Sequence, residues 1–198
     1  MHKLKNENIS QIEQIVVEYR ENKCISIFLK GEGKVMAQYE HVKHTFEPVY
    51  DENSRILILG SLPSVKSREQ GFYYGHPQNR FWKVLAEVLE WNEPETIEEK
   101  KRMLLENGIA IWDVLESCDI QGSSDSSIKN PVAADIPQLL KKTKIKKIYV
   151  NGTTAGKYYK KYILPSTGIE AVVLQSTSPL NCRYNLEKLV KNWSVILQ

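Results

Sequence analysis

The sequence predicts an α/β protein, a three-layer α/β/α sandwich around a central four-stranded parallel sheet, preceded by a short N-terminal extension of a helix and a hairpin. Three observations lead there. Arg55 is followed by the apolar residues Ile56-Leu57-Ile58-Leu59, a short unbroken run of the kind found in strands buried on both faces. From there to the end, apolar runs alternate with helical patterns, as in strand–helix–strand units with right-handed crossovers. The runs end in polar groups, Ser61, Asp113, Asn151 and Ser176, which would meet at the carboxyl rim of the sheet, where open α/β sheets place their ligands.

The extension covers residues 1–45 and the main domain 46–198. In the extension, Ile9, Ile12, Ile15 and Val16 at helical spacing predict a helix over about 10–20, and ISIFLK, the turn GEGK and VMAQYE predict a hairpin. In the main domain, the stretch 55–82 runs from the first strand through a polar loop into a cluster of rings, Phe72, Tyr73, Tyr74, Phe81 and Trp82. The first helix is expected to start near Pro77, with Phe81, Leu85, Val88 and Leu89 on its buried face and Asn79 in its first turn. Thr96 and Glu99 form a capping-box pattern for a second helix, which Asn107-Gly108 would end. Strand two is expected over 109–114, followed by the serine-rich loop QGSSDSSIKNP and a short helix. Strand three covers 147–151 and leads through Gly152 into a helix reaching Tyr162. Strand four covers 170–175, then the loop STSPLN, then an amphipathic helix on Leu186, Leu189, Val190 and Trp193.

Composition bounds the function. With 41% hydrophobic and 26% charged residues in 198, the chain has the material for one folded domain and a core. No apolar stretch approaches the ~20 residues of a membrane span, and the start MHKLKNENIS lacks a signal peptide's apolar centre. Three widely spaced cysteines, Cys24, Cys118 and Cys182, fit reduced thiols better than a disulfide framework, so a cytoplasmic protein is expected. The net charge of +3 is small but unevenly spread. Lys141, Lys142, Lys144, Lys146, Lys147, Lys157, Lys160 and Lys161 fall in an acid-free segment between Asp135 and Glu170, either a solvated helix face or a footprint for a phosphate backbone.

No nucleotide fingerprint follows the first strand, no serine sits in a nucleophile elbow, and His41 and His44, three apart, lack the further ligands of a metal site. What remains is a rim of amides, hydroxyls and one carboxylate beside aromatic rings, a set suited to gripping a flat heteroaromatic ring by stacking and edge hydrogen bonds.

GSLPS after strand one and STSPLN after strand four resemble the two signature loops of the uracil-DNA glycosylase superfamily, and GSLPSVKSREQGFYYGHPQNRFW resembles its hypoxanthine (deoxyinosine) DNA glycosylase branch. The resemblance covers about 46–198. It implies a uracil-DNA glycosylase-like fold and a monofunctional, monomeric enzyme without metal or cofactor and without membrane attachment. Its partner would be double-stranded DNA containing a deaminated base, which it flips out and excises by hydrolysis of the N-glycosidic bond. By the same resemblance Leu180 stands at the position of the intercalating wedge; otherwise it packs beneath its own loop. Ser64, Ser67, Ser176, Thr177, Ser178, Pro179, Asn181 and Arg183 would line the DNA-binding surface, and Gly60, Ser61, Leu62 and Pro63 the base pocket.

Two positions depart from the superfamily's pattern. Leu62 replaces a catalytic Asp or Asn in the first loop, and Ser176 replaces the His that opens the second. Asn79 matches the downstream Asn of the hypoxanthine branch and inherits the catalytic expectation, with helix capping as its alternative role. Tyr73 or Tyr74 would stack on the base. Asn151, able to donate and accept, and Asp113, an acceptor only, are the candidates for reading the base edge, Asp113 having turn capping as its alternative. Uracil or mixed specificity, and a non-catalytic DNA-binding relative, are the competing expectations.

Overall fold

The structure, a computed structural model, describes residues 15–20, 23–29, 39–121 and 125–198, and the chain divides into two compact units, Met1–Glu40 and His41–Gln198. In the first unit, β1 (Ile15–Arg20) pairs antiparallel with β2 (Lys23–Leu29), Ile15 facing Leu29. The expected helix over 10–20 is therefore a strand in its described part. IVVEYR is rich in β-branched residues whose stiff side chains favour extended backbone, and this outweighs the helical spacing of the isoleucines. ISIFLK falls largely within β2 but pairs with the segment before it; the expected turn GEGK and residues 35–38 lie outside the described residues.

The second unit is built on a parallel sheet in the order β5-β4-β8-β9, formed by β4 (Ile56–Gly60), β5 (Ile109–Asp113), β8 (Lys147–Asn151) and β9 (Ala171–Leu174). β4 lies inside the sheet, hydrogen-bonded on one side to β5 and on the other to β8, so its apolar run has no solvent face, and Leu57, Ile58 and Leu59 are fully buried. Alternation sends these side chains into two separate cores. Ile58, Ile109, Ile111 and Tyr149 pack with α2 (Phe81–Leu89), α3 (Ile97–Glu106) and α7 (Leu186–Trp193). Leu57, Leu59, Ile148 and Val150 pack with α4 (Ile136–Lys141) and α5 (Thr153–Tyr158), which continues through a π-helical turn, Tyr159–Ile163, into α6 (Leu164–Thr167). The result is the expected three-layer α/β/α arrangement.

Local signals set several boundaries. The Thr96 hydroxyl accepts from the Glu99 N–H while the Glu99 carboxylate accepts from the Thr96 N–H, closing the capping box of α3. Asp135 and Asn185 cap α4 and α7 through their side-chain oxygens. A short helix not foreseen, α1 (Val65–Gln70), follows β4 and is capped by Ser64 and ended by Gly71. The helix expected at Pro77 starts four residues later, at Phe81. His76 accounts for the delay: its ring Nδ1 accepts from the Gln78 N–H and its carbonyl from the Asn79 N–H, holding 76–79 as a turn.

The segment after β5 also differs from expectation. β6 (Leu115–Ile120) and β7 (Lys129–Ala133) pair antiparallel and join β3 (Glu40–Lys43) in a second sheet of order β3-β6-β7. KNPVA carries no apolar alternation, and β7 exists because β6 offers it a ladder, a tertiary cause invisible in its own residues.

Gly152 joins β8 to α5 with φ +94°, and a Cβ on it would stand 3.0 Å from the Ser176 Cβ. Both the backbone and the space there exclude a side chain. Gly152→Ala is expected to lose about 2–3 kcal/mol of stability, measured by urea unfolding; a loss under ~0.5 kcal/mol would show that the β8 and β9 ends are not held this close.

Candidate active site

At the carboxyl ends of β4, β5, β8 and β9 the second unit encloses a cavity of about 790 Å³, within the ~300–1,000 Å³ usual for ligand sites. Gly60, Ser61, Leu62 and Pro63 line it after β4, Asp113 after β5, Asn151 after β8, and Ser176 through Leu180 after β9. The polar strand ends therefore converge. Tyr73, Tyr74, His76 and Asn79 line it from the segment that leads into α2, together with Phe46 and Gln78, which sequence reasoning did not place there.

The centre of the site is a hydrogen-bonded chain whose polarity two backbone donors determine. The Thr177 N–H donates to Asn151 Oδ1 at 3.0 Å, so the other end of that amide is Nδ2, which donates to Thr177 Oγ1 at 2.9 Å. The Phe81 N–H donates to Asn79 Oδ1 at 3.0 Å, and the Thr177 hydroxyl donates to the same oxygen at 2.9 Å. With its oxygen accepting twice, Asn79 has its NH₂ group left to offer. Asn79 thus accepts from the first N–H of α2, whose N-cap position is Arg80, and lines the cavity at once.

The same chain changes the reading of its other members. Asn151 uses one acceptor site and one donor of its amide on Thr177 and keeps one of each at the cavity. Thr177 is fully buried and is an internal relay rather than a surface contact. Ser67, expected on the DNA surface, is buried too, with its hydroxyl bonded to Ser64 and accepting from the Gly75 N–H. Ser64 accepts from the Ser67 N–H as the cap of α1. Ser176 and Ser178 accept from backbone N–H groups at Ser178 and Leu180, and the Asn181 amide donates to the Ser176 carbonyl, so these three shape the turn that carries Pro179 and Leu180.

That turn is clamped by Arg80, a residue sequence reasoning did not single out. Its guanidinium donates to the carbonyl oxygens of Thr177 (3.3 Å), Ser178 (2.6 Å), Asn181 (3.1 Å) and Tyr184. Its own N–H also donates to the Thr177 carbonyl, at 3.1 Å. At the end of this braced turn Leu180 is 88% exposed, which excludes the alternative that it packs beneath its own loop. Arg183 is exposed beside it in sequence.

The two tyrosines part company. Tyr73 is 2% exposed, donates its hydroxyl to the Glu47 carbonyl and packs edge-on against Phe46 and Phe72, a core role. Tyr74 stacks on Phe81 with ring centroids 3.9 Å apart. Burial above all, with the charge of Asp113 next, pushes both hydroxyls well above the usual phenol range, so both remain protonated donors. The Asn151 amide lies near enough to lower that shift at Tyr74, but no well-formed hydrogen bond reaches its buried hydroxyl.

Asp113 is buried, and its Oδ2 accepts from His44 Nε2 at 2.9 Å, with side-chain exposures of 6% and 2%. Its Oδ1 lies over Gly60: a Cβ built there would come within 2.2 Å of it, so only glycine leaves room. The exposed His41 turns the other way, to the half-buried Asp119 at 2.8 Å, and among the described residues no group of three or more His, Cys, Asp or Glu side chains is placed to hold a metal ion.

The family model of the uracil DNA glycosylase superfamily matches residues 47–196. The chain belongs to the uracil DNA glycosylase superfamily. Among curated superfamily relatives, a hypoxanthine DNA glycosylase of Methanosarcina acetivorans is 36% identical over 159 residues, covering 79% of this chain and 99% of the relative. A hypoxanthine DNA glycosylase of Methanosarcina barkeri is 35% identical over 155 residues, covering 77% and 96%. The solution NMR structure of a candidate uracil DNA glycosylase from Methanosarcina acetivorans aligns with a TM-score of 0.65 and 34% identity, covering 77% of this chain and 97% of that one.

Within this superfamily fold the lysine-rich segment is out of place for gripping a substrate at the cavity. Lys141 and Lys142 end α4, and Lys144, Lys146 and Lys147 lead into β8 at its amino end, whereas the cavity opens at its carboxyl end, at Asn151. Lys144 bonds Asn53, which precedes β4. These five lysines therefore lie at the end of β8 away from the cavity.

Removing Arg80 should loosen the second loop without touching the core. Hydrogen bonds from charged donors are worth ~1.5–3 kcal/mol each, with strong non-additivity, so Arg80→Met is expected to cost about 3 kcal/mol in urea unfolding. A cost below ~1 kcal/mol would show that the clamp is not a stabilising contact.

Proposed function

We propose that this protein is a DNA glycosylase that removes a deaminated base, hypoxanthine, from double-stranded DNA and leaves an abasic site. The observation that carries the reading is a preset amide donor, Asn79, lining a cavity that can admit a base and whose rim bears an exposed leucine on a braced turn. The naming of the two relatives as hypoxanthine DNA glycosylases supports the choice of base.

In this reading Leu180 enters the duplex as an apolar wedge when the base leaves the stack, offsetting the few kcal/mol of lost pairing and stacking. Its mounting matters: a wedge on a loose loop would lose part of that gain to ordering its own backbone. The base enters the cavity against Tyr74, whose ring is backed by Phe81. The C1′–N9 bond then breaks toward an oxocarbenium-like sugar, water adds its oxygen to C1′, and the base departs with a proton.

A cation of this kind needs an oriented water more than a strong base. Asn79 donates its NH₂ to that water. Its oxygen cannot swing round to replace the donor, because Phe81 and Thr177 both hold it. Leu62 and Ser176, which depart from the superfamily pattern, supply no such group: Leu62 packs among apolar neighbours and Ser176 is spent on the loop. All the residues lining the cavity belong to the second unit, so the reading needs no residue from a second subunit. Acting on DNA places it in the compartment of the chromosome, which in a cell without a nucleus is the cytoplasm.

The test is incubation with duplexes carrying one inosine or one uracil, followed by alkali and gel separation. Cleavage at inosine is expected; no cleavage of either duplex at stoichiometric protein would contradict an enzymatic role, and cleavage at uracil alone would move the specificity. Asn79→Ala is expected to slow single-turnover cleavage at least tenfold, ~1.4 kcal/mol of barrier, with binding to lesion DNA nearly unchanged. An unchanged rate would remove Asn79 from the reaction.

A further inference from the structure

The buried His44–Asp113 pair takes no part in the mechanism above, yet it ends in the cavity. Asp113 closes β5, opposite Gly60 in the β4–β5 register, and both residues line the cavity. A carboxylate only accepts, so His44 donates through Nε2 to Oδ2. The ring is held from its other sides by Phe46, edge-on at 4.6 Å between centroids, and by Tyr73 at 5.8 Å, and its Nδ1 is buried without a partner. The imidazole therefore has one polar contact and little freedom to leave it. The other oxygen, Oδ1, lies over the bare backbone of Gly60, and both residues line the cavity.

We propose that His44 is a positioning residue that presents Asp113 to the flipped base as a single hydrogen-bond acceptor, and that this acceptor reads the ring N–H which deamination creates. The inference rests on the glycosylase reading and assigns its base-edge contact to Asp113 rather than to Asn151.

The chemistry of the bases makes this contact discriminating. Adenine carries a lone pair at ring N1, which a carboxylate oxygen repels; hypoxanthine carries a hydrogen there, which the carboxylate accepts. Hypoxanthine N1–H is flanked by one carbonyl and one C–H, whereas uracil N3–H is flanked by two carbonyls, each unfavourable beside an anionic oxygen. Guanine offers N1–H and a 2-amino group side by side, the pattern a carboxylate with both oxygens available would grip in bidentate fashion. With Oδ2 turned to the buried His44, the pair presents Oδ1 rather than an open two-oxygen fork. The His44 contact thus separates a reader of hypoxanthine from a guanine clamp.

Asp113→Asn tests the polarity. The Asn oxygen would be captured by the His44 Nε2–H, turning the NH₂ toward the base and its N1–H. Single-turnover excision of hypoxanthine is expected to fall at least tenfold, with the protein still folded by thermal unfolding. Adding His44→Leu removes the donor that holds the amide and lets its oxygen turn to the base, so the double variant is expected to recover at least fivefold over Asp113→Asn. A merely structural pair would show the opposite, a further loss. Undiminished excision by Asp113→Asn, or no recovery in the folded double variant, overturns the proposal. The wild-type protein gives an independent measurement: free hypoxanthine should inhibit at least tenfold better than 1-methylhypoxanthine, and equal inhibition overturns the ring N–H contact. A wild-type protein that leaves the inosine duplex uncut fails on the glycosylase reading itself, and the inference falls with it.

Discussion

The guanidinium of Arg80 is the contact on which the two halves of the site depend. It lies between Asn79 and Phe81 in the chain and donates to four carbonyl oxygens spread from Thr177 to Tyr184. A half-buried cation is costly unless its donors are met, and the planar fork of arginine meets several carbonyls at fixed angles in a way a lysine cannot. The consequence is geometric. The residue that holds the turn bearing Leu180 is the sequence neighbour of the residue that lines the cavity with its amide, so the spacing of Leu180 and Asn79 is tied to one side chain.

The hydrogen-bonded chain Asn151–Thr177–Asn79 completes this coupling from the inside. Its direction follows from backbone N–H groups at Thr177 and Phe81, which only donate, and that leaves the amide of Asn79 in a single orientation. A site built this way has little to reorganise when the base arrives, which is how preorganised polar groups come to outperform water. It also accounts for the unusual first and second loops. With Leu62 apolar and Ser176 accepting within its turn, the proposed mechanism rests on the amide of Asn79, and in it Thr177 from the second loop fixes that amide.

The parts of this that were legible in the sequence are those encoded by neighbours in the chain. The run Ile56–Leu59 shows a doubly buried strand because every residue in it is apolar, and Thr96 with Glu99 shows a helix start because the two bond each other. Leu180, Asn79 and Asp113 were legible as candidates because each ends or follows such an element. What escaped is set by distant partners. β7 forms on β6 from a segment with no periodicity of its own. Pro77 looks like a helix start, but His76 holds the turn and delays α2 to Phe81. Nothing local distinguishes Arg80 from other surface arginines, or His44 from His41, since only the fold shows that one imidazole reaches Asp113 at the cavity and the other Asp119, away from it. Ser67 and Thr177 read as surface hydroxyls and are buried braces.

The claim at the centre of the account is that Thr177 acts through Asn79, and a double-mutant cycle in single-turnover excision of hypoxanthine tests it most directly. Thr177→Val removes the hydroxyl with little change of volume, and Asn79→Ala removes the amide it orients. If the hydroxyl works by holding that amide, Thr177→Val slows the wild type but barely changes Asn79→Ala, giving a coupling of at least ~1 kcal/mol. Independent, additive losses in the double variant would contradict a site whose two loops are joined through this bond.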